Sequence, residues 1–332
     1  MKGRVPMAVL LGVAAASAVL IALVAGGGAG APPAAGGTRG AGGAGGGHAT
    51  AGAPPGPGAG AGSLSTSTAG GAPVDASRFS RGACEAFPPT TGDSHHTVFI
   101  DAGHGGVDPG GQGVTESGKV IYEAGENLAI ELETMNLLRA EGYRVVVSRT
   151  SNTYVLRPTP SDLTSGVLSV EGAKADIAAR DACADLARAT ILIGIYFDAG
   201  TSPLDAGSLT AYDPVRSFAA KSRSLATLLQ RDVLSQLNAH GWQIPDDGVQ
   251  PDTTLGGIPL TTTAAIYRHL LLLGPADPGW FTTASSMPGA LIEPLFISDP
   301  FEGSIADSAL GHLAIAEGMA HAVVAYFRTT SG

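Results

Sequence analysis

The sequence predicts an α/β fold: a single domain with a largely parallel central sheet flanked by helices on both faces. Three observations predict it. Short apolar or β-branched runs alternate with segments that carry apolar residues at helical spacing. The most apolar run, Thr190-Ile-Leu-Ile-Gly-Ile-Tyr-Phe197, shows no polar face, as a central strand covered on both sides requires. A third run, Val98-Phe-Ile-Asp-Ala-Gly-His104, ends in a turn with six glycines between Gly103 and Gly113. In open α/β sheets the carboxyl edge of the strands is where ligands and metals bind, so this turn reads as an active-site loop.

The elements follow in order. Thr97 to Ile100 is a strand, and Tyr122 to Glu141 is a helix carrying Leu128, Leu132, Met135 and Leu138 on one face before Gly142 ends it. Tyr143 to Ser148 is the next strand. Asn152 to Gly172 is a polar insertion of about 20 residues, long enough to be functional and to lie over a groove. Ala173 to Ala189 is helical, Thr190 to Phe197 is the central strand, and Asp198-Ala-Gly200 forms a second loop at a strand's carboxyl end. Ser208 to Tyr212 is a strand, Phe218 to His240 a long helix, Ala290 to Ile297 the last strand and Ser308 to Phe327 the closing helix. No internal repeat is apparent.

The chain has 332 residues, but its 48 glycines and 22 prolines, with alanine, crowd towards the amino end and shorten the foldable part. Met1-Lys-Gly-Arg4 followed by an apolar stretch from Met7 to Val24 has the form of a signal peptide or membrane anchor over residues 1–24. A retained anchor is favoured because the apolar core is long and no single cleavage site stands out. Residues 25–80 are a Gly/Ala/Pro-rich flexible linker with too few large apolar side chains to offset the entropy of ordering. Residues 81–332 form the folded domain. The expected location is therefore outside the cytoplasm, in the cell envelope or secreted.

A formal net charge of −10 excludes nucleic acid as a partner, since phosphate neutralisation needs clustered Lys and Arg. The two cysteines, Cys84 and Cys183, make a disulfide possible in an exported chain. Two unpaired cysteines are the alternative.

His104, Glu123, Tyr196, Asp198 and Glu293 all fall at or near the carboxyl ends of expected strands or at the start of the following helix. Imidazole and carboxylate donors with one open position make a catalytic zinc site, and a further carboxylate serves as general base. The residues alone reach as far as metal-assisted hydrolysis.

Five segments carry a resemblance: Ile100-Asp-Ala-Gly-His-Gly-Gly-Val-Asp-Pro-Gly110, Tyr122-Glu-Ala-Gly-Glu-Asn-Leu-Ala129, Val145-Val-Val-Ser-Arg149, the arginine of Ile177-Ala-Ala-Arg180, and Ala290-Leu-Ile-Glu293 continuing to Pro300. In this order and spacing they resemble the zinc-dependent N-acetylmuramoyl-L-alanine amidases of the type 3 family, over roughly residues 97 to 328. The resemblance implies one zinc ion, peptidoglycan as the substrate, and cleavage of the amide joining N-acetylmuramic acid to L-alanine.

By the same resemblance His104 and Glu123 are zinc ligands, Glu293 is the catalytic glutamate and Arg180 braces the active-site loops. The third ligand of the family is a histidine ending a hydrophobic strand, and here that position is Tyr196. Tyr196 could bind as a phenolate, Asp198 could substitute as a carboxylate, or an imidazole such as His269 could reach the site. Alternatively no catalytic zinc remains and the fold is a pseudo-amidase that grips peptidoglycan or a cell-wall partner. Glu126 is the substitute for Glu123 by local spacing.

Overall fold

Every residue of Ile191–Ile195 is buried, and this strand lies inside an eight-stranded mixed sheet. The computed structural model describes residues 68–255 and 262–330. The expected signal or anchor and most of the expected linker lie outside the described residues. Along the chain run β1 (Ala72–Pro73), β2 (Ala83–Phe87), β3 (Thr97–Ala102), a hairpin of β4 (Gln112–Val114) and β5 (Val120–Tyr122), then α1 (Glu123–Ala140) and β6 (Arg144–Arg149). A small hairpin, β7 (Leu163–Thr164) and β8 (Val167–Leu168), precedes α2 (Val170–Leu186), β9 (Ile191–Ile195), β10 (Ser208–Tyr212) and α3 (Ala219–Ala239). The chain closes with β11 (Asp246–Pro251), α4 (Thr262–Tyr267), β12 (Gly289–Glu293), α5 (Pro300–Ala306) and α6 (Ala309–Thr330).

The sheet order is β1-β2-β6-β3-β9-β12-β10-β11. Its centre, β6-β3-β9-β12, is parallel throughout. Because the chain leaves β3 for β6 on one side and later returns to β9 on the other, strand order reverses between β3 and β9. That reversal opens a crevice at their carboxyl ends, the place where such sheets bind ligands.

Alternation along each strand sorts side chains between two apolar layers. Ile191, Ile193, Ile195 and Phe197 join the layer with α1, α3 and α6, whereas Leu192 and Tyr196 join Phe99, Val146 and the alanines of α2. Helix α6 is apolar enough to span a bilayer by length and composition, with mean hydropathy 1.2, but most of it is buried against α1 and α3.

Several elements were not legible beforehand. Strand β2 reads Ala-Cys-Glu-Ala-Phe, with small residues and a central glutamate, and β11 reads Asp-Asp-Gly-Val-Gln-Pro on an outer edge, so neither stands out as an apolar run. The folded unit also takes in residues assigned to the linker: Ala72–Pro73 pairs with β2, and Phe79 is 1% exposed and bridges to Leu156. One large aromatic was enough to anchor that segment. The last strand stops at Glu293 because Pro294 has no N–H to continue the ladder. The 152–172 insertion starts as a buttress, not a cover: the Asn152 side chain donates to the Gly106 carbonyl at 3.1 Å, and the Tyr154 ring lies against Gly106.

Cys84 on β2 and Cys183 on α2 are joined by a disulfide, tying an outer strand to the helix that covers its face. The bridge closes a loop with a sequence separation of 99 residues. Replacing both cysteines with alanine is therefore expected to lower stability by about 2–5 kcal/mol. Urea denaturation of the two proteins reads this directly, and equal midpoints would contradict it.

Candidate active site

The site is built on the turn after β3. His104 has φ of 61°, a left-handed conformation that is uncommon without glycine, and it turns the imidazole back over the sheet edge. Two buried arginines hold the backbone there. Arg180 donates to the carbonyls of Ala102 and His104, both at 2.8 Å, and to Asp101 Oδ1 at 2.7 Å and Asp176 Oδ2 at 2.9 Å. Arg149 donates to the carbonyls of Ala102 at 3.1 Å and Gly103 at 3.0 Å. Every carbonyl from Ala102 to His104 thus accepts from a guanidinium.

The imidazole is oriented from behind. Its Nδ1 is hydrogen-bonded to Asp108 Oδ2 at 2.9 Å, which directs Nε2 to Glu123 Oε2 at 3.2 Å. That second contact lacks hydrogen-bond geometry, so Nε2 is buried without a hydrogen-bond partner. Glu123 opens α1 and is itself fixed: Oε2 accepts from the Gly111 N–H at 2.8 Å and Oε1 from the Phe197 N–H at 3.0 Å. Gly110, at φ 69°, allows this approach, because a Cβ there would lie 2.6 Å from the His104 ring and 2.8 Å from Glu123 Oε2.

Burial opposes charge on His104, but the flanking carboxylates of Glu123 and Asp108 outweigh it and carry its pKa up to about 10. Against its own burial, Glu123 is held below the usual carboxylate range by the imidazole and its two backbone donors. Next to this pair lie Asp198 and Glu293, on the carboxyl sides of β9 and β12. Burial pushes Asp198 up to about 7, and burial together with the Asp198 and Glu123 charges pushes Glu293 well above its ordinary value. Asp198 Oδ1 accepts from the Ala199 N–H at 2.8 Å, while Asp198 Oδ2 and Glu293 Oε2 receive no N–H or O–H from another residue and the two carboxyls lie within hydrogen-bonding reach of each other.

A zinc ion bound through bonds of about 2.0 Å has its tetrahedral ligands roughly 3.3 Å apart. The unpartnered His104 Nε2, 3.2 Å from Glu123 Oε2 and braced by a carboxylate on its other nitrogen, fits two such positions. Tyr196 does not fit as the third. Its ring fills the space beside Gly103 on the α2 side of the sheet, and its hydroxyl donates to Asp101 Oδ2 at 3.3 Å. Burial, with the Asp101 charge, raises the phenol well above its ordinary pKa, which disfavours a phenolate.

The chain matches the family model described as N-acetylmuramoyl-L-alanine amidase over residues 98–325. The chain belongs to this amidase family. It is 28% identical over 250 residues to the N-acetylmuramoyl-L-alanine amidase AmiC of Neisseria meningitidis, a match covering 70% of this chain and 53% of that protein. The chain thus spans about half the length of that relative. Among solved structures, the CwlD amidase from Clostridioides difficile, in complex with the GerS lipoprotein, superposes with a TM-score of 0.52 at 19% identity, covering 70% of this chain and 99% of that one. An N-acetylmuramoyl-L-alanine amidase from Clostridium difficile 630 is 25% identical with a TM-score of 0.49, covering 71% and 98%.

Within this amidase domain the other expected substitutes lie elsewhere. His269 sits with Asp213 and Asp252, and Glu126 pairs with His312 on α6 at 2.8 Å. Sequence reasoning did not single out Asp108 or Arg149 for their contacts here. Both lie inside the quoted motifs, and the four-residue step from His104 to Asp108 was the available signal.

Glu131 on α1 pins β3 to β6 beneath the loop, accepting from the Ser148 N–H at 2.8 Å and the Ala102 N–H at 3.3 Å. Burial pushes it up to about 8. A folded-state pKa above the unfolded value means that its contribution is fully present below about 4.5 and is lost as pH rises through about 8. Glu131→Gln is therefore expected to gain stability relative to the wild type between pH 5 and 8.5. Parallel pH dependences in urea denaturation would contradict this.

Proposed function

We propose that this chain hydrolyses the amide bond between N-acetylmuramic acid and L-alanine in peptidoglycan, as an exported cell-envelope amidase using one zinc ion. The observation that carries the reading is the buried His104 Nε2, unpartnered and facing Glu123, beside two adjacent carboxylates. His104 and Glu123 would hold the metal, with Asp198 supplying the third donor in place of Tyr196. Bound zinc supplies an acidified water and polarisation of the amide carbonyl.

The remaining chemistry belongs to the side chains. Asp198 and Glu293 are buried together and cannot both be ionised cheaply without a cation, so with a divalent ion bound Asp198 would be ionised as a ligand and Glu293 ionised to act as base. Glu293 takes the proton of the attacking water and passes it to the departing nitrogen. The C–O bond forms, the C–N bond breaks, and the products are a lactyl carboxylate on the glycan and a free L-alanine amine.

A second reading rests on Tyr196. The Tyr196 ring packs edge-on against the His104 imidazole at 5.5 Å between centroids, but its hydroxyl is given to Asp101, so the family's third donor position offers no oxygen to the His104–Glu123 pair. A domain that binds glycopeptide without cutting would look like this.

Assay of purified muramyl peptides for newly released L-alanine amines separates the two. Glu293→Gln is expected to lose about 100- to 10,000-fold in rate while retaining its zinc. Absence of hydrolysis by the zinc-loaded wild type would favour the binding module.

A further inference from the structure

Strand β10 runs antiparallel to β12 and parallel to β11, so the carboxyl ends of β10 and β11 emerge at the edge of the sheet opposite the amidase site. Glu293 pairs with Leu209, and Asp213 lies four residues further along, roughly 13 Å away at strand spacing. Asp213 follows β10 and Asp252 follows β11, and each is 2% exposed. His269, from the segment after α4, turns in between them.

Each carboxylate is anchored through one oxygen by backbone N–H groups, and the two carboxylates lie against each other through the other. Asp213 Oδ1 accepts from the N–H groups of Val215 at 2.7 Å and Arg216 at 3.1 Å. Asp252 Oδ2 accepts from the Leu270 N–H at 3.0 Å. The other oxygens converge on His269 Nδ1, at 2.8 Å from Asp213 Oδ2 and 3.5 Å from Asp252 Oδ1. All three converging atoms are buried and lack a hydrogen-bond partner. Among the described residues, this is the group of three whose ligand atoms all lie within 4.8 Å of one another.

An ordinary ion pair does not account for this arrangement. His104 Nδ1 and Asp108, at 2.9 Å, meet hydrogen-bond geometry, whereas His269 and Asp213, at 2.8 Å, do not. His104 Nε2 and Glu123 Oε2, 3.2 Å apart, make a similar close contact without ideal hydrogen-bond geometry. The nearby Arg216 guanidinium donates to the carbonyls of Leu273, Gly274 and Ser285, and among the described residues it makes no ion pair with Asp213 or Asp252. Asp181, buried on α2 with both oxygens unpartnered, lies nearby, and burial raises its carboxyl well above the ordinary range.

We propose that Asp213, Asp252 and His269 form a second metal site, binding a divalent first-row cation of the zinc type. Two carboxylates and one imidazole neutralise a divalent ion and suit zinc or manganese better than calcium or magnesium. Spacings of 2.8 and 3.5 Å bracket the roughly 3.3 Å edge of a tetrahedral zinc site. The ion would fasten the ends of β10 and β11 to the segment leading into β12, a structural role independent of amide hydrolysis.

The test is zinc stoichiometry of the full chain, stripped with chelator and reloaded with zinc alone, with thermal melting alongside. Wild type is expected to hold about two ions, and Glu123→Gln and Asp252→Asn about one each. Zinc should raise the melting temperature of Glu123→Gln but not of the double variant Glu123→Gln/Asp252→Asn. If Asp252→Asn fails to fold, His269→Gln is read in the same way. A single ion lost only in Asp252→Asn would keep this site and remove the amidase one. Wild-type stoichiometry in Asp252→Asn, or no zinc on Glu123→Gln, overturns the proposal.

Discussion

The buried guanidinium of Arg180, held between Asp101 and Asp176, is the constraint on which the candidate site depends. It is 1% exposed and gives its hydrogen bonds to two carboxylates and to the carbonyls on either side of Gly103. Removing one partner of such a buried pair typically costs about 3–5 kcal/mol, because the other charge is left uncompensated. Here that energy secures a left-handed backbone at His104 that the residue would not choose alone. Without it the imidazole has no reason to sit over the sheet edge.

The same network explains Tyr196. Strand alternation sends Asp101 and Tyr196 to the α2 side, so the phenol finds a carboxylate already oriented by Arg180. Tyr196 is thereby part of the brace. The acidic pair Asp198 and Glu293, one strand end further along, is left with unpartnered oxygens in a buried place. Such groups are costly unless a proton or a cation meets them.

Much of this was legible in the sequence. The glycine-rich turn after Val98–Ala102 and the apolar Ile191–Ile195 mark two strand ends, Glu293 was legible within the last strand though not as its end, and parallel pairing brings all three to one edge. What the sequence could not carry was direction and depth. Nothing in Gly-Ile-Tyr-Phe says which layer the phenol enters, since that depends on the register of β9 against β3. His269 read as a possible ligand for the amidase site because its segment has no periodicity to place it. The reversal of β10 and β11 puts it at the opposite edge, beside two aspartates whose strands are too polar or too short to be read as a pair.

The account turns on what completes the His104–Glu123 pair. A crystal structure of the zinc-loaded chain, with anomalous data collected at the zinc absorption edge, addresses this most directly. The account predicts an ion held by His104 Nε2, Glu123 and Asp198, with the Tyr196 hydroxyl still on Asp101. An ion bonded to the Tyr196 oxygen, or no ion at His104, would contradict it.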